Sequence, residues 1–203
     1  MAGKLRRIAL TGGIATGKSH VRGRFEALGI PTIDSDVLAR QAVAPGTPGL
    51  AAVVTRFGRD VLDEHGALDR QKLARMVFAD SGARRALEAI VHPDVRRATE
   101  RWFDSLDAAR HPFAIADIPL LYEVGRDRDF DAVIVAACDA DTQLGRVMKR
   151  DGLAEPEARQ RIAAQMSIED KIRRADYVIH TGGTFEATDL QVRDVYARLL
   201  ASS

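Results

Sequence analysis

The stretch ALTGGIATGKSHV, Ala9 to Val21, decides the fold of this chain. From Gly12 to Ser19 it fits the pattern G-x-x-x-x-G-K-[ST], and it directly follows an apolar run that ends at Leu10. A glycine-rich turn with this spacing between a strand and a helix is a P-loop, which cradles phosphates. We therefore predict a strand, a phosphate-binding loop and a helix in this order.

The residue types in this loop suit a chain of phosphates. Glycine lets backbone N–H groups converge on an anion, and the start of the following helix adds partial positive charge. Lys18 is predicted to reach the β- and γ-phosphates, and the Ser19 hydroxyl is predicted to ligate Mg²⁺. The residues assigned to nucleotide binding are Gly12, Gly13, Ile14, Ala15, Thr16, Gly17, Lys18, Ser19 and His20. The alternative is a strand-to-helix turn with a purely structural role.

Length and composition favour one substantial core with an attached subdomain. The 203 residues are 46% hydrophobic, and 30 basic residues against 29 acidic ones give a net charge of +1. This balance lacks the basic excess typical of nonspecific nucleic-acid binding. The single cysteine, Cys138, excludes an intrachain disulfide, and we expect it to be packed in the core. The first apolar run is too short for a signal sequence or a membrane span, so we expect a cytoplasmic protein without membrane or nucleic-acid partners.

Short apolar runs alternate with amphipathic stretches, which predicts βαβ units around a parallel sheet. Strands are predicted at Leu5–Leu10, Pro31–Asp34, Phe113–Ile118, Ala132–Ala137 and Tyr177–His180. Helices are predicted at Lys18–Leu28, Ala140–Arg150, Pro156–Met166 and Phe185–Leu200, with a short one capped by Ser167 and ending near Ala175. The region Val37–Ala109 reads as helical, with loops at APGTPG (Ala44–Gly49) and DEHGALD (Asp63–Asp69). The predicted fold class is therefore α/β, a three-layer P-loop fold with a five-stranded parallel sheet.

Acidic residues stand where two of these strands end. Asp34 and Asp36 close the second strand in PTIDSDVLAR, and Asp117 ends FAIAD. Because the carboxyl ends of parallel strands line the ligand crevice, we expect these side chains at the phosphate end of the sheet. Asp36 is a candidate to accept or orient a hydroxyl proton, while Asp34 and Asp117 are candidates to hold Mg²⁺ directly or through water. Helix capping is the alternative for each of them.

Two arginines follow the fourth strand. Arg146 and Arg150 lie at i and i+4 on one helical face, where two guanidinium groups could clamp a triphosphate. The alternative is a solvated face on which Arg150 pairs with Asp151. In the second half of FAIADIPLLYE, Pro119 is predicted to turn the chain, and the leucines after it to cover apolar surface.

The chain resembles bacterial dephospho-CoA kinases over nearly its whole length. The stretches that carry the resemblance are LTGGIATGKS (Leu10–Ser19), IDSDVLAR (Ile33–Arg40), VAPGTPG (Val43–Gly49), LEAIVHP (Leu87–Pro93), DIPLLYE (Asp117–Glu123), TQLGRVMKRDGL (Thr142–Leu153) and RIAAQM (Arg161–Met166). Their order and spacing are highly specific. Members of this family transfer the γ-phosphoryl group of ATP to the ribose 3′-hydroxyl of dephospho-CoA, which completes coenzyme A synthesis.

The resemblance implies which regions of the chain form the core, the substrate-binding region and the lid. Residues 1–203 would form a single P-loop kinase chain with its core at 1–36, 110–140 and 176–203, a dephospho-CoA-binding helical region at 37–109 and a lid at 141–175. The implied catalytic residues are Asp36, Lys18, Arg146 and Arg150, and the implied substrate-binding residues are Asp36, Arg40, His92, Pro119 and Leu120. The implied cofactors are ATP and Mg²⁺, and the expected assembly is a monomer or a weak homo-oligomer. For His92 alone, a bond to a local backbone group is the commoner role.

Two positions depart from the family pattern. His20 stands where the family often has threonine, and VIHTGG (Val178–Gly183) stands where many members read Asp-Asn before a glycine. The chain contains no asparagine, so an asparagine contact to adenine is excluded, and so is the N-K-x-D motif of a GTP-dependent switch. Two alternatives stay open: a small-molecule kinase for another acceptor, and a nucleotide-binding module without turnover.

Overall fold

A computed structural model of the chain describes residues 5–202. The chain forms two compact units, one comprising the residues up to Ile33 together with those from Ser105 onward, and the other comprising Asp34–Asp104. The predicted division into core, helical region and lid stays a prediction. Of the predicted core, residues 1–4 and 203 lie outside the described residues.

A five-stranded parallel sheet organises the fold, which confirms the predicted class. Its strands are β1 (Arg6–Gly12), β2 (Thr32–Asp34), β3 (Phe113–Asp117), β4 (Ala132–Ala137) and β5 (Tyr177–His180), in the order β2-β3-β1-β4-β5. Strand β1 is central and runs parallel to both β3 and β4, with Ile8 opposite Ile115 on one side and Ala132 on the other. Every residue of β3 and β4 is buried, because both faces of the sheet are covered, and this explains their unbroken apolar sequences.

The described helices are α1 (Lys18–Ala27), α2 (Ser35–Ala42), α3 (Pro48–Phe57), α4 (Arg70–Ala79), α5 (Ser81–Asp104), α6 (Ala140–Asp151), α7 (Glu155–Ala163), α8 (Ile168–Arg173) and α9 (Phe185–Ala201). Helix α7 ends three residues earlier than predicted, and the Met166 N–H donates to the Glu123 carboxylate at 3.0 Å instead of to a carbonyl of the helix. Ser167 caps α8 as predicted, its hydroxyl accepting the N–H of Asp170 at 3.0 Å. Among the described residues, no helix combines the length and apolar character needed to cross a membrane.

Helices α1 and α9 pack together over the hydrophobic core of the first unit. Phe25 from α1 meets Phe113 from β3 edge to face, with 6.4 Å between ring centres. Gly29 ends α1 in the left-handed conformation, at φ 81°, and its N–H donates to the carbonyl of Glu26 at 2.9 Å. Glycine is the common residue at this position, because the left-handed conformation costs it least.

The second unit contains α2 to α5 around a small apolar core that includes Val53 and Leu73. The region predicted to be helical, 37–109, is helical only as far as Asp104, where α5 ends. The predicted loop Ala44–Gly49 is too long, because α3 begins at Pro48. Thr47 caps that helix, accepting the N–H of Leu50 at 3.1 Å, and proline is favoured in a first helical turn, where no intrahelical N–H bond is lost.

Candidate active site

The loop between β1 and α1 has an unusual backbone. Gly17 is in the left-handed region at φ 85°, and Ala15 is the one described non-glycine residue with a positive φ, at 57°. A left-handed alanine costs about 1–2 kcal/mol, and such strain is typical of functional loops. Glycine at position 12 is required for packing, since a Cβ there would lie 2.5 Å from the carbonyl oxygen of Ala136 in β4.

This loop offers hydrogen-bond donors to a ligand. In the described part of the chain, the backbone N–H groups of Ala15, Gly17, Lys18 and Ser19 have no acceptor. The exposed Ser19 hydroxyl also has no bonding partner among the residues described. Unpaired N–H groups at the start of a helix favour an anion, so the predicted phosphate-binding loop has the donors it needs.

Two threonine hydroxyls form hydrogen bonds with carbonyl groups of the loop. The Thr16 hydroxyl donates to the carbonyl of Gly13 at 2.9 Å, and the hydroxyl of Thr181, just after β5, lies 2.6 Å from the carbonyl of Thr16. Both threonines are buried. These two bonds therefore hold the shape of the loop, and neither uses the unpaired N–H groups.

Lys18 and Asp117, both predicted for the site, form an ion pair. Lys18 Nζ lies 2.7 Å from Asp117 Oδ1, and the Asp117 side chain is only 3% exposed against 15% for Lys18. The guanidinium of Arg22 lies 3.6 Å from the other carboxylate oxygen. The lysine of the P-loop and the carboxylate at the end of β3 are therefore in direct contact.

The second unit carries the remaining predicted acids and their neighbours. Asp34 caps α2, its Oδ1 accepting the N–H of Asp36 at 2.8 Å, so the capping alternative holds for this carboxylate. Asp36 is exposed in the first turn of α2, and Arg40 and His92 are exposed on α2 and α5. Their roles in acceptor binding stay predictions, as does a metal-holding role for Asp34.

Arg146 and Arg150 turn to different partners although they share a helix face. Arg146 donates to the carbonyl of Thr181 at 2.7 Å and lies 3.3 Å from its hydroxyl oxygen. Arg150 makes two bonds to Asp151, at 2.8 and 3.1 Å, which raise the pKa of the guanidinium and lower that of the carboxyl. This is the surface pair foreseen as the alternative for Arg150, and a joint clamp on phosphate remains a prediction.

His20, assigned to nucleotide binding, lies beside helix α9. Its Nε2 is 2.8 Å from Asp189 Oδ1, and its ring centre is 4.6 Å from that of Phe185. Phe185 is 69% exposed. His20 is thus held by an acid and an aromatic ring of α9.

The loop after β3 contains two of the predicted substrate-binding residues. Leu120 is partly exposed, whereas the carbonyl of Pro119 accepts the Thr11 hydroxyl at 3.1 Å. Tyr122 is buried, and its hydroxyl has no partner among the described residues. Burial raises the pKa of Tyr122 to about 12.

Sequence reasoning missed several polar residues around the loop. Gln143, Gln165, Glu123 and Lys171 bond to the P-loop or to its supports over sequence separations of 48 to 151 residues. Their only sequence signal is that some of them fall in the stretches shared with dephospho-CoA kinases. No local periodicity distinguishes them from ordinary surface residues.

The chain is similar to dephospho-CoA kinases over most of its length. The family model for dephospho-CoA kinase matches residues 6–186. A dephospho-CoA kinase of Anaeromyxobacter dehalogenans is 51% identical over 183 residues, covering 90% of this chain and 87% of that protein. A crystal structure from Thermus thermophilus matches with a TM-score of 0.83 and 34% identity, covering 97% and 99% of the two chains. A dephospho-CoA kinase from Campylobacter jejuni matches with a TM-score of 0.73 and 26% identity, covering 97% and 98%.

Proposed function

Because the chain belongs to the dephospho-CoA kinase family, we propose that its P-loop and the side chains around it perform the reaction of that family. The reaction is the ATP-dependent phosphorylation of the ribose 3′-hydroxyl of dephospho-CoA, which gives coenzyme A and ADP. It is the final step of coenzyme A biosynthesis.

The unpaired N–H groups of the P-loop carry this proposal. The N–H groups of Ala15, Gly17, Lys18 and Ser19 have no acceptor in the described chain, and they stand where a helix begins. We assign them to the β-phosphate and its neighbours, since converging amides bind an anion without a change of conformation. The Lys18 ammonium would leave its pair with Asp117 to bind phosphate oxygens.

The donor set also fits Mg²⁺ bound mainly through the nucleotide. No cluster of three or more metal-ligating side chains occurs among the described residues. Mg²⁺ usually takes one or two protein ligands beside phosphates and waters, and Ser19 and Asp117 can supply these. When bound, the ion neutralises charge on the phosphates. Asp34 is a candidate to orient a metal-bound water.

Acceptor activation is assigned to Asp36. Its carboxylate is exposed in the first turn of α2, where it can accept or orient the proton of the 3′-hydroxyl. Region 37–109, with Arg40 and His92, is assigned to dephospho-CoA, and region 141–175 to a lid. Arg146 and Arg150 are assigned to charge that develops during transfer.

One incubation tests the activity. The protein is mixed with MgATP and dephospho-CoA, and the products are identified by mass spectrometry and ³¹P NMR. We expect phosphate on the 3′-oxygen and an equal amount of ADP. A phosphate elsewhere, or no product while another hydroxyl compound is turned over efficiently, would contradict the proposal.

The variant Asp36→Asn tests the acceptor assignment. It should retain ATP binding and lose about 10²–10⁴-fold in turnover, the usual cost of removing a positioned acid or base. Glu64→Gln is the matched control, because Glu64 is an exposed acid of the same unit. Equal losses in both variants would contradict a specific role for Asp36.

We further propose that the enzyme acts in the cytoplasm as a monomer or a weak homo-oligomer. A net charge of +1 gives little electrostatic repulsion between copies of the chain, which supports weak self-association. Light scattering over a range of protein concentrations tests the assembly, and a concentration-independent dimer would contradict it.

A further inference from the structure

Lys171, on helix α8, is a fully buried cation that the proposed reaction does not use. Its side chain is 0% exposed, whereas lysine is almost never fully buried unless it is paired. Its Nζ lies 2.9 Å from the carbonyl oxygen of Pro119 and 2.9 Å and 3.2 Å from the two carboxylate oxygens of Glu123. An ammonium has three donors, and three oxygens surround this one.

Pro119 connects Lys171 to the start of the phosphate loop. The carbonyl of Pro119 that accepts from Lys171 also accepts the Thr11 hydroxyl at 3.1 Å. Thr11 is buried and directly precedes Gly12. Lys171 therefore holds the same carbonyl that fixes the end of β1.

Glu123 connects Lys171 to the middle of the same loop. Glu123 Oε1 accepts the N–H of Met166 at 3.0 Å. The neighbouring residue, Gln165, accepts the N–H of Ile14 with its side-chain oxygen at 2.7 Å. Because Glu123 fixes the backbone beside Gln165, it also restricts where the Gln165 carboxamide can lie.

Ile14 is held from both sides. Its carbonyl accepts from Nε2 of Gln143 at 2.9 Å, and its N–H donates to Gln165. The approach of Gln143 requires glycine at position 13, since a Cβ there would lie 2.6 Å from that nitrogen. Ile14 precedes Ala15, the strained residue at which the unpaired N–H groups begin.

We infer that Lys171 is a positioning residue for phosphoryl transfer, which holds Pro119 and Glu123 so that the phosphate loop keeps its nucleotide-binding shape. The inference rests on the proposed function of that loop. Lys171 itself contacts no P-loop atom in the described structure and acts through its two partners.

The energetics of burial favour this role over simple stabilisation. Burial lowers the pKa of Lys171, and the bonds from Glu123 oppose that shift. The Lys171 side chain is fully buried and that of Glu123 is 20% exposed. A largely buried ion pair adds little net stability, and replacing both of its members by apolar residues of similar volume is often neutral. A positioning role explains the buried ammonium of Lys171 better, because its hydrogen bonds fix where the oxygens of Pro119 and Glu123 lie.

The test measures nucleotide affinity and kinetics in Lys171→Met. The dissociation constant of ATP from calorimetry, kcat and both KM values are compared with those of the wild type. We expect ATP affinity to fall about tenfold or more, the effect of losing a charge-assisted bond, and kcat to fall with it. KM for dephospho-CoA should stay within about twofold. Arg173→Met is the control, because Arg173 is an exposed cation of the same helix.

A second variant protects the test against poor folding of the first. Gln165→Met removes the acceptor of the Ile14 N–H at a half-buried site, and it should show the same ATP-selective loss. In the double variant the combined loss should be smaller than the sum of the two single losses, because Lys171 and Gln165 share the route through Glu123. Additive losses would overturn the inference, and so would wild-type affinity and kinetics in Lys171→Met with only its melting temperature changed. If the wild type fails to phosphorylate dephospho-CoA, the proposed function fails, and the ATP affinities still decide the role of Lys171.

Discussion

Replacing Lys18 by methionine should lower both the stability and the activity of the protein. The ammonium is 2.7 Å from Asp117, whose side chain is only 3% exposed, so the substitution removes a short ion pair of a nearly buried carboxylate. A hydrogen bond to a charged group contributes about 1.5–3 kcal/mol. Since Arg22 remains 3.6 Å from the carboxylate, we expect a loss near the lower half of that range, about 2 kcal/mol.

This loss corresponds to a fall in melting temperature of about 4–8 °C, because a chain of this size shifts by about 2–4 °C per kcal/mol. Turnover with ATP and dephospho-CoA should fall by about 10²-fold or more, as expected when a preorganised donor to developing charge is removed. Scanning calorimetry and a coupled ADP assay measure the two effects on the same preparation.

A double variant separates the two roles of the lysine. In Lys18→Met/Asp117→Asn the buried carboxylate is gone, so part of the lost stability should return, whereas turnover should stay low. Wild-type turnover in folded Lys18→Met would refute the assignment of the loop. An unchanged melting temperature would refute the reasoning about the ion pair.

Further substitutions and one labelling experiment test other parts of the site. Arg146→Lys should lower kcat, since lysine cannot reproduce the forked hydrogen bonds of arginine. Arg150→Lys should change the free energy of unfolding by less than about 1 kcal/mol, because the ion pair of Arg150 is at the surface. Unchanged kinetics in both variants would contradict a phosphate clamp. Tyr122→Phe should be as stable as the wild type or more stable in urea, since its buried hydroxyl has no partner among the described residues; a loss above about 1 kcal/mol would reveal one. Burial raises the pKa of the Cys138 thiol, so at pH 8 less of it is thiolate than in an unfolded chain. Iodoacetamide should therefore label Cys138 only after denaturation, and rapid labelling of the native protein would contradict its burial.

The sequence alone predicted the sheet and the phosphate loop, because both depend on short-range patterns. Strands β4 and β5 match their predicted bounds at both ends. For β4 the reason is that the run AVIVAA is buried on both faces of a parallel sheet. The P-loop follows from the spacing of Gly12, Gly17 and Lys18, which sets the backbone turn and places the charge. The order of the shared stretches was likewise sufficient to predict the family.

Contacts between distant segments depend on the tertiary structure. Arg146 and Arg150 share one helix face in sequence, but only the packing of the chain places Thr181 beside the first, while the second bonds to its neighbour Asp151. Lys171 gives no local sign of burial, and it meets Glu123 because α8 and the loop after β3 come together in the folded chain. Local propensity acts over a few residues, whereas these polar partners are 35 to 48 residues apart, and their pairing is set by the assembled sheet.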